Sequence, residues 1–253
     1  MSSASLPTII GYCDRLLKIS EVPDYDGAVN GLQVERNGPV RRIAAAVDAS
    51  IATVEMAADA GSDLLIVHHG LFWNARHPWT GIHYRLLRLL IDSNLAIYSA
   101  HLPLDVHPKL GNNARLCSAL GLKQLKPFLL DHGIEIGFQS RAAIPLQQLS
   151  SRLTKAVCGP VHVIPAGPKI CRRIGVATGG AGGDLRKAAE EGVDTFVTGE
   201  GPHWTHALAE ELGINVLYAG HYATETFGVK ALAEHLAGKF NLSWTFLDHP
   251  TGL

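Results

Sequence analysis

The chain has no CxxC pair, no basic block, no low-complexity tract and no apolar run of transmembrane length. Each absence removes a class of function. Its four cysteines, Cys13, Cys117, Cys158 and Cys171, are scattered, so they read as buried thiols in a reducing compartment, the cytoplasm. A formal charge of −1 gives nucleic acid or an anionic membrane no electrostatic hold. The opening MSSASLPTII lacks the charged and apolar regions of a signal peptide. Aromatic residues are few and apolar residues make up 47% of 253, an ordinary α/β composition with enough chain for one or two domains.

What the chain does have is thirteen histidines and an internal repeat. Residues 41–73, RRIAAAVDASIATVEMAADAGSDLLIVHHGLFW, align without a gap on residues 172–204, RRIGVATGGAGGDLRKAAEEGVDTFVTGEGPHW. Ten of the 33 pairs are identical, among them Arg42/Arg173, Gly61/Gly192, Asp63/Asp194, Gly70/Gly201 and Trp73/Trp204. A weaker match lays AIYSAHLPLD, 96–105, over VLYAGHYATE, 216–225, pairing His101 with His221 and Asp105 with Glu225. The reading is two related, intertwined α/β lobes from a duplication, forming a single compact unit with a metal site in the cleft between them. The lobe boundary is expected near Pro127 to Gly133, giving lobes 1–127 and 128–253.

Apolar periodicity supports this class. Helical spacing covers 8–18, 84–93, 146–157, 206–212 and 222–237. Ser50 can cap a helix ending at Gly61, and a helix from Asp184 ends at Gly192. Strands are expected at 32–35, 43–48, 64–67, 95–99, 161–164, 174–177, 196–198, 216–219 and 242–247. Alternating strands and helices argue for partly parallel sheets.

The chemistry-bearing residues fall just past strand ends, where open α/β sheets gather ligands. His68 and His69 follow the buried run Leu64 to Val67. Neighbouring strand residues point to opposite faces, so the pair serves one ion only if Gly70 lets the chain bend, or two ions, one each. Pro103 and Leu102 disfavour helix, which puts His101 and Asp105 on a loop. Glu225 falls one helical turn after His221, on the same face. Several imidazoles with two carboxylates suit first-row transition metals better than Ca²⁺ or Mg²⁺. A catalytic zinc usually takes three protein ligands, so five or six favour two divalent ions (Zn, Fe, Mn, Co or Ni).

NGLQV (30–34), DLLIVHHG (63–70), HLPLD (101–105), TGE (198–200) and GHYATE (220–225) resemble the signature segments of the NIF-three-like dinuclear metal-centre family. Some members of that family are described as GTP cyclohydrolase I type 2 homologues. The chain is similar to the short members, without the inserted domain of longer ones. The resemblance implies metal ligands at His68, His69, Asp105, His221 and Glu225, with both acids bridging. It implies that His101 lies close to the metals or faces substrate. Glu200 holds the repeat position of His69 and is expected to wall the same cleft, with His203 nearby. A ring-shaped homohexamer is implied too. Gly70-Leu71 replaces the family's Pro-Leu and Leu102-Pro103 its Thr-Asn; neither removes a ligand, but the second turns a polar pair apolar.

Other features have plainer readings. The glycine-rich TGGAGGD, 178–184, with Gly179 to Gly183, reads first as a tight strand-to-helix turn and second as a phosphate cradle. Asn112 and Asn113 read as helix caps, Arg41, Arg42, Arg172 and Arg173 as solvated strand flanks, and Trp73, Trp79 and Trp204 as packing. His77, His83, His107, His132, His162, His206, His235 and His249 carry no paired pattern. The leading functional expectation is a metal-dependent hydrolase of a small phosphate-bearing or nucleotide substrate, with His101 and Glu200 as the catalytic proton-transfer candidates. The alternative is a non-catalytic metal-binding regulatory or scaffold protein in an oligomeric ring. A cyclohydrolase releasing formate from GTP rests on the family's description alone.

Overall fold

The computed structural model describes residues 2–73 and 78–253. His77 lies outside the described residues. In chain order the elements are α1 (Leu6–Leu17), β1 (Gly31–Val34), β2 (Arg42–Asp48), α2 (Ile51–Asp59), β3 (Leu64–His69), α3 (Gly81–Ser93), β4 (Ala96–Ser99) and α4 (Leu102–Asp105). There follow α5 (Asn112–Leu120), β5 (Lys126–Asp131), β6 (Ile134–Pro145), α6 (Leu146–Val157), β7 (His162–Pro165) and β8 (Ile170–Val176). A 3₁₀ turn, Ala181–Asp184, then leads into α7 (Leu185–Glu190), β9 (Thr195–Thr198), α8 (Thr205–Leu212), β10 (Asn215–Tyr218), α9 (His221–Phe240) and β11 (Ser243–Phe246).

The chain divides into two compact units, Met1–Leu104 with Val229–His249, and Asp105–Gly228 with Pro250–Leu253. This departs from the expected 1–127 and 128–253. Two local causes explain it. Residues 127–133 are no boundary but strand β5 and the His132–Gly133 turn of a hairpin in which β5 pairs antiparallel with β6, with both turn residues at positive φ. The C-terminal half of α9 and strand β11 return to the first unit, where Trp244 pairs in parallel with Ile43.

The first unit carries a five-stranded sheet in the order β1-β4-β3-β2-β11. β2, β3 and β4 run parallel, and β1 is antiparallel to β4. Leu64 to Val67 are fully buried, as the unbroken apolar run requires of a strand covered on both faces. Val54, Ala57 and Leu90 pack α2 and α3 onto one face with Leu65, Val67 and Ile97. Ser50 caps α2 through a reciprocal pair of bonds with Thr53.

The second unit carries a six-stranded sheet in the order β5-β6-β8-β9-β10-β7. Its run β8-β9-β10 is parallel and β7 is antiparallel to β10, matching β2-β3-β4 and β1. Its core joins Leu116, Leu149, Leu153, Ile174, Val197 and Leu217.

The identical pairs of the repeat perform the same task in each unit. Asp63 accepts from the backbone amides of Arg41 (2.7 Å) and Arg42 (3.0 Å). Asp194 accepts from those of Arg172 (3.0 Å) and Arg173 (3.0 Å). Gly61 and Gly192 both have positive φ, and a Cβ on either would press on the guanidinium of Arg42 or Arg173. Arg41, Arg172 and Arg173 are exposed, as solvated strand flanks, while the backbone amides of both pairs form half of a strand-end clasp. Among the described residues no helix is long and apolar enough to cross a membrane.

Candidate metal centre

In the first unit β3 delivers His68 and His69 to its carboxyl end, and the segment after β4 delivers His101. One ring nitrogen from each lies within 4.8 Å of the others. The rings of His68 and His69 are 4.9 Å apart despite the strand's alternation, because both turn toward the strand end. Strand β3 ends at His69, and Gly70 does not take positive φ. It is glycine for space: a Cβ there would collide with the Gln33 amide and with Ser99 Oγ at 2.6 Å. Gln33 Oε1 in turn accepts from the Leu71 amide at 2.7 Å.

Each of the three histidines is held from behind. His68 Nδ1 donates to the Ala100 carbonyl at 2.9 Å, and the ring is wholly buried. His69 Nδ1 donates to Asp48 at 2.8 Å, and His101 Nδ1 to Asp24 at 2.8 Å. Holding Nδ1 fixes the tautomer and aims Nε2 as the ligand atom, the arrangement that metal-binding histidines favour. Asp24 is itself braced by the Asn30 amide and the backbone amides of Tyr25 and Leu102. Burial pushes its carboxyl up, but the His101 and Asn30 bonds outweigh that and hold it below the usual carboxylate range. The Trp73 ring stands edge-on to His101 at 5.0 Å and donates Nε1–H to the Gly70 carbonyl.

His101 sits on the bend between β4 and α4, as expected, but Asp105 does not sit on a loop. Leu102–Asp105 is one helical turn, with the Leu104 amide bonded to the His101 carbonyl at 2.9 Å. Pro103 falls at the start of that turn, where its missing N–H has no partner to lose and its fixed φ suits a helix.

In the second unit Asp105 is buried and accepts from Asn112 Nδ2 at 2.8 Å. Asn112 Oδ1 accepts from the Gly228 amide. Asn113 donates to the Asp105 and Ile136 carbonyls and accepts from the Thr178 amide. These two buried asparagines are not side-chain caps of α5; they fix the aspartate and the strand ends around it.

His221 opens α9, and Glu225 lies one turn on, with Nε2 and Oε2 at 3.2 Å. His221 Nδ1 meets Glu200 Oε1 at 2.8 Å. The hydrogen bond to Glu225 raises the imidazole to about 9, against an opposing push from burial, and Glu200 adds to the rise. A cation can take the place of that proton. Gly179, at φ +70°, passes so close that a Cβ would collide with the Glu225 carboxylate and approach His221 Nε2 at 3.4 Å. The turn closes on itself: the Gly179 amide donates to Thr224 Oγ1 and the Gly182 amide to the Glu200 carbonyl. That favours the tight-turn reading over a phosphate cradle. His203 and Trp204 lie exposed before α8, and Trp79 is exposed as well, so neither Trp79 nor Trp204 is core packing.

Imidazoles with anchored Nδ1 in one unit, and an imidazole with carboxylates in the other, form a donor chemistry that fits first-row transition metals. The motifs exposed the histidines and acids. Asp24, Asn30 and Asp48 were missed because they are distant in sequence from the histidines they brace.

The model of the Duf34/NIF3 (NGG1p interacting factor 3) family matches residues 4–251. A Halobacterium salinarum protein named GTP cyclohydrolase 1 type 2 homolog is 45% identical over 252 residues, covering 96% of each chain. A Deinococcus radiodurans protein of the same name is 42% identical over 249 residues, covering 97% of this chain and 93% of its own. Among solved structures, TTHA1606 from Thermus thermophilus has a TM-score of 0.92 at 42% identity, covering 99% of this chain and 100% of its own. Reduced HcgD from Methanocaldococcus jannaschii has a TM-score of 0.86 at 26% identity, covering 98% and 99%.

Proposed function

The chain belongs to the Duf34/NIF3 family, and we propose that it is a metal-dependent hydrolase of a small nucleotide or related phosphate-bearing substrate. In this reading His68, His69, Asp105, His221 and Glu225 hold two divalent transition-metal ions. The observation that carries it is the pair His68 and His69, each with Nδ1 already engaged, with His101 anchored in the same way and its ring nitrogen within 4.8 Å of theirs. Such anchoring is what a preorganised ligand set needs.

Divalent ions at these residues would supply Lewis-acid charge and a water of lowered pKa. The chain's own groups divide the remaining work. Asp24 fixes the His101 ring, so His101 Nε2 is the group that moves a proton to or from substrate. Glu200 grips His221 Nδ1 and orients that ligand, a positioning role in addition to the proton transfer expected of it. Trp73 packs against the His101 ring and helps to hold it. The substrate class draws on relatives named for GTP, and the small cluster of buried polar groups suits a compact ligand better than a polymer. Four free cysteines, three of them buried, favour the cytoplasm. A homohexamer belongs to the same reading, and light scattering tests it.

The test is turnover by metal-loaded protein across nucleotides and phosphoesters, following phosphate and, for GTP, formate. Release of either product, lost in His101→Ala with the metal retained, is the expected outcome. Full metal loading with no turnover of any compound would leave a metal-binding regulatory protein instead.

A further inference from the structure

We propose that the groove between α7 and α8 is a purine-base subsite, with Trp204 as its stacking platform. The inference rests on the nucleotide reading above and says where the base lies.

The groove is a cavity of about 410 Å³ within the second unit, lined on one side by Gly183, Arg186, Lys187 and Glu190 and on the other by Trp204 and Leu208. That volume falls at the small end of ligand pockets, roughly 300–1,000 Å³, and suits a base rather than a whole dinucleotide. Trp204 is 53% exposed, while Leu208 on the same side of the groove is buried. A Cβ on Gly183 would meet nothing within 4 Å, so the mouth of the groove is open. A flat apolar wall beside an open mouth accepts a planar ring.

The polar groups select the ring. Lys187 is occupied by Asp184 at 2.8 Å and Asp131 at 3.4 Å. Arg186 and Glu190 are one helical turn apart on the same face, and neither forms an ion pair with another described residue. A guanidinium beside a carboxylate offers donors and an acceptor together. A purine edge presents the complement: ring N7 and O6 accept from arginine, and ring or amino N–H groups donate to glutamate. An inorganic anion would use the arginine but gain nothing from the indole or the glutamate.

The location fits the proposed chemistry. Gly183 follows Gly182, whose amide is bonded to the Glu200 carbonyl at 3.0 Å, and Glu200 holds His221. Trp204 lies a single short loop beyond Glu200. With the base on Trp204, the rest of the nucleotide extends, in this proposal, toward the Glu200–His221 pair.

The experiment is calorimetric binding of GMP and of ribose 5-phosphate to the protein as purified, beside Trp204→Ala, Trp204→Phe and Arg186→Ala, each checked for assembly by gel filtration. Base stacking of this kind predicts a loss of about tenfold or more in GMP affinity for Trp204→Ala, near-retention for Trp204→Phe and a smaller loss for Arg186→Ala. Ribose 5-phosphate binding should be the same in all four. No GMP binding by the unaltered protein, or equal GMP affinity in Trp204→Ala, would overturn the proposal. So would a Trp204→Ala variant that changes only the assembly. Binding is read without turnover, so a protein that binds GMP through Trp204 yet hydrolyses nothing would sink the hydrolase reading alone.

Discussion

The first unit has an acid where the second has a glycine, and a histidine where the second has an acid. Asp48, at the end of β2, aligns with Gly179 past β8, and His69 with Glu200. In the first unit the acid of β2 holds the histidine of β3. In the second, Gly179 clears space for Glu225, and Glu200 turns to hold His221. One strand frame thus carries a histidine-rich donor set in one unit and a carboxylate-rich set in the other. The frame depends on the positions the repeat kept, such as Asp63/Asp194 and Gly61/Gly192. The chemistry depends on those it changed.

The comparison breaks most sharply at Gly179. Gly179→Ala puts a methyl group against the Glu225 carboxylate and costs about 1–2 kcal/mol in backbone strain. It should lower metal affinity on the order of a hundredfold, the upper end for disrupted ligand support. Chelator competition measures this, and unchanged affinity would mean that Glu225 is not a ligand. Next comes Asp48→Asn in the first unit, expected to cost about 10–100-fold in metal affinity by loosening the ligand His69, whereas Asp24→Asn, which loosens His101, should lower turnover and leave metal affinity unchanged. If Asp48→Asn cost nothing, His69 would not depend on its rear bond.

Asp63→Asn and Asp194→Asn probe what the units share. Each weakens two backbone bonds to a carboxylate and should cost about 1–3 kcal/mol of stability by denaturant unfolding, with Asp63→Asn the costlier because Asp63 also pairs with Arg36 at 2.7 Å. A costlier Asp194→Asn would show that the Arg36 pair adds nothing to the first clasp. The smallest effect is in pH. His221 is raised to about 9 in the folded protein, so its protonated form stabilises folding fully below its ordinary pKa of 6.5, and that contribution fades as pH rises through 9. Metal-free protein should therefore lose a few degrees of Tm between pH 6.5 and 9. Glu225→Gln should flatten that slope, and an unchanged slope would assign it to another group.

Much of this was legible in the chain. The buried run Leu64 to Val67, the Ser50 cap and the His221–Glu225 spacing each encode local geometry directly, and the structure has them where periodicity placed them. Pro103 misled because a proline rule for helix interiors does not apply at a first turn. The hairpin of β5 and β6 resembles a lobe boundary in sequence because Pro127 and Gly133 mark turns and boundaries alike. The return of β11 to β2 pairs residues some 200 positions apart, which no local pattern reports. The braces Asp24 and Asp48 were hidden for the same reason: a hydrogen bond across strands leaves no spacing to find.

The most direct test of the central claim is elemental analysis of protein purified without an affinity tag, beside the double variant His68→Ala, Glu225→Ala. The account predicts close to two transition-metal ions per chain, lost in the variant. No metal in either protein after reloading, or equal metal in both, would contradict it.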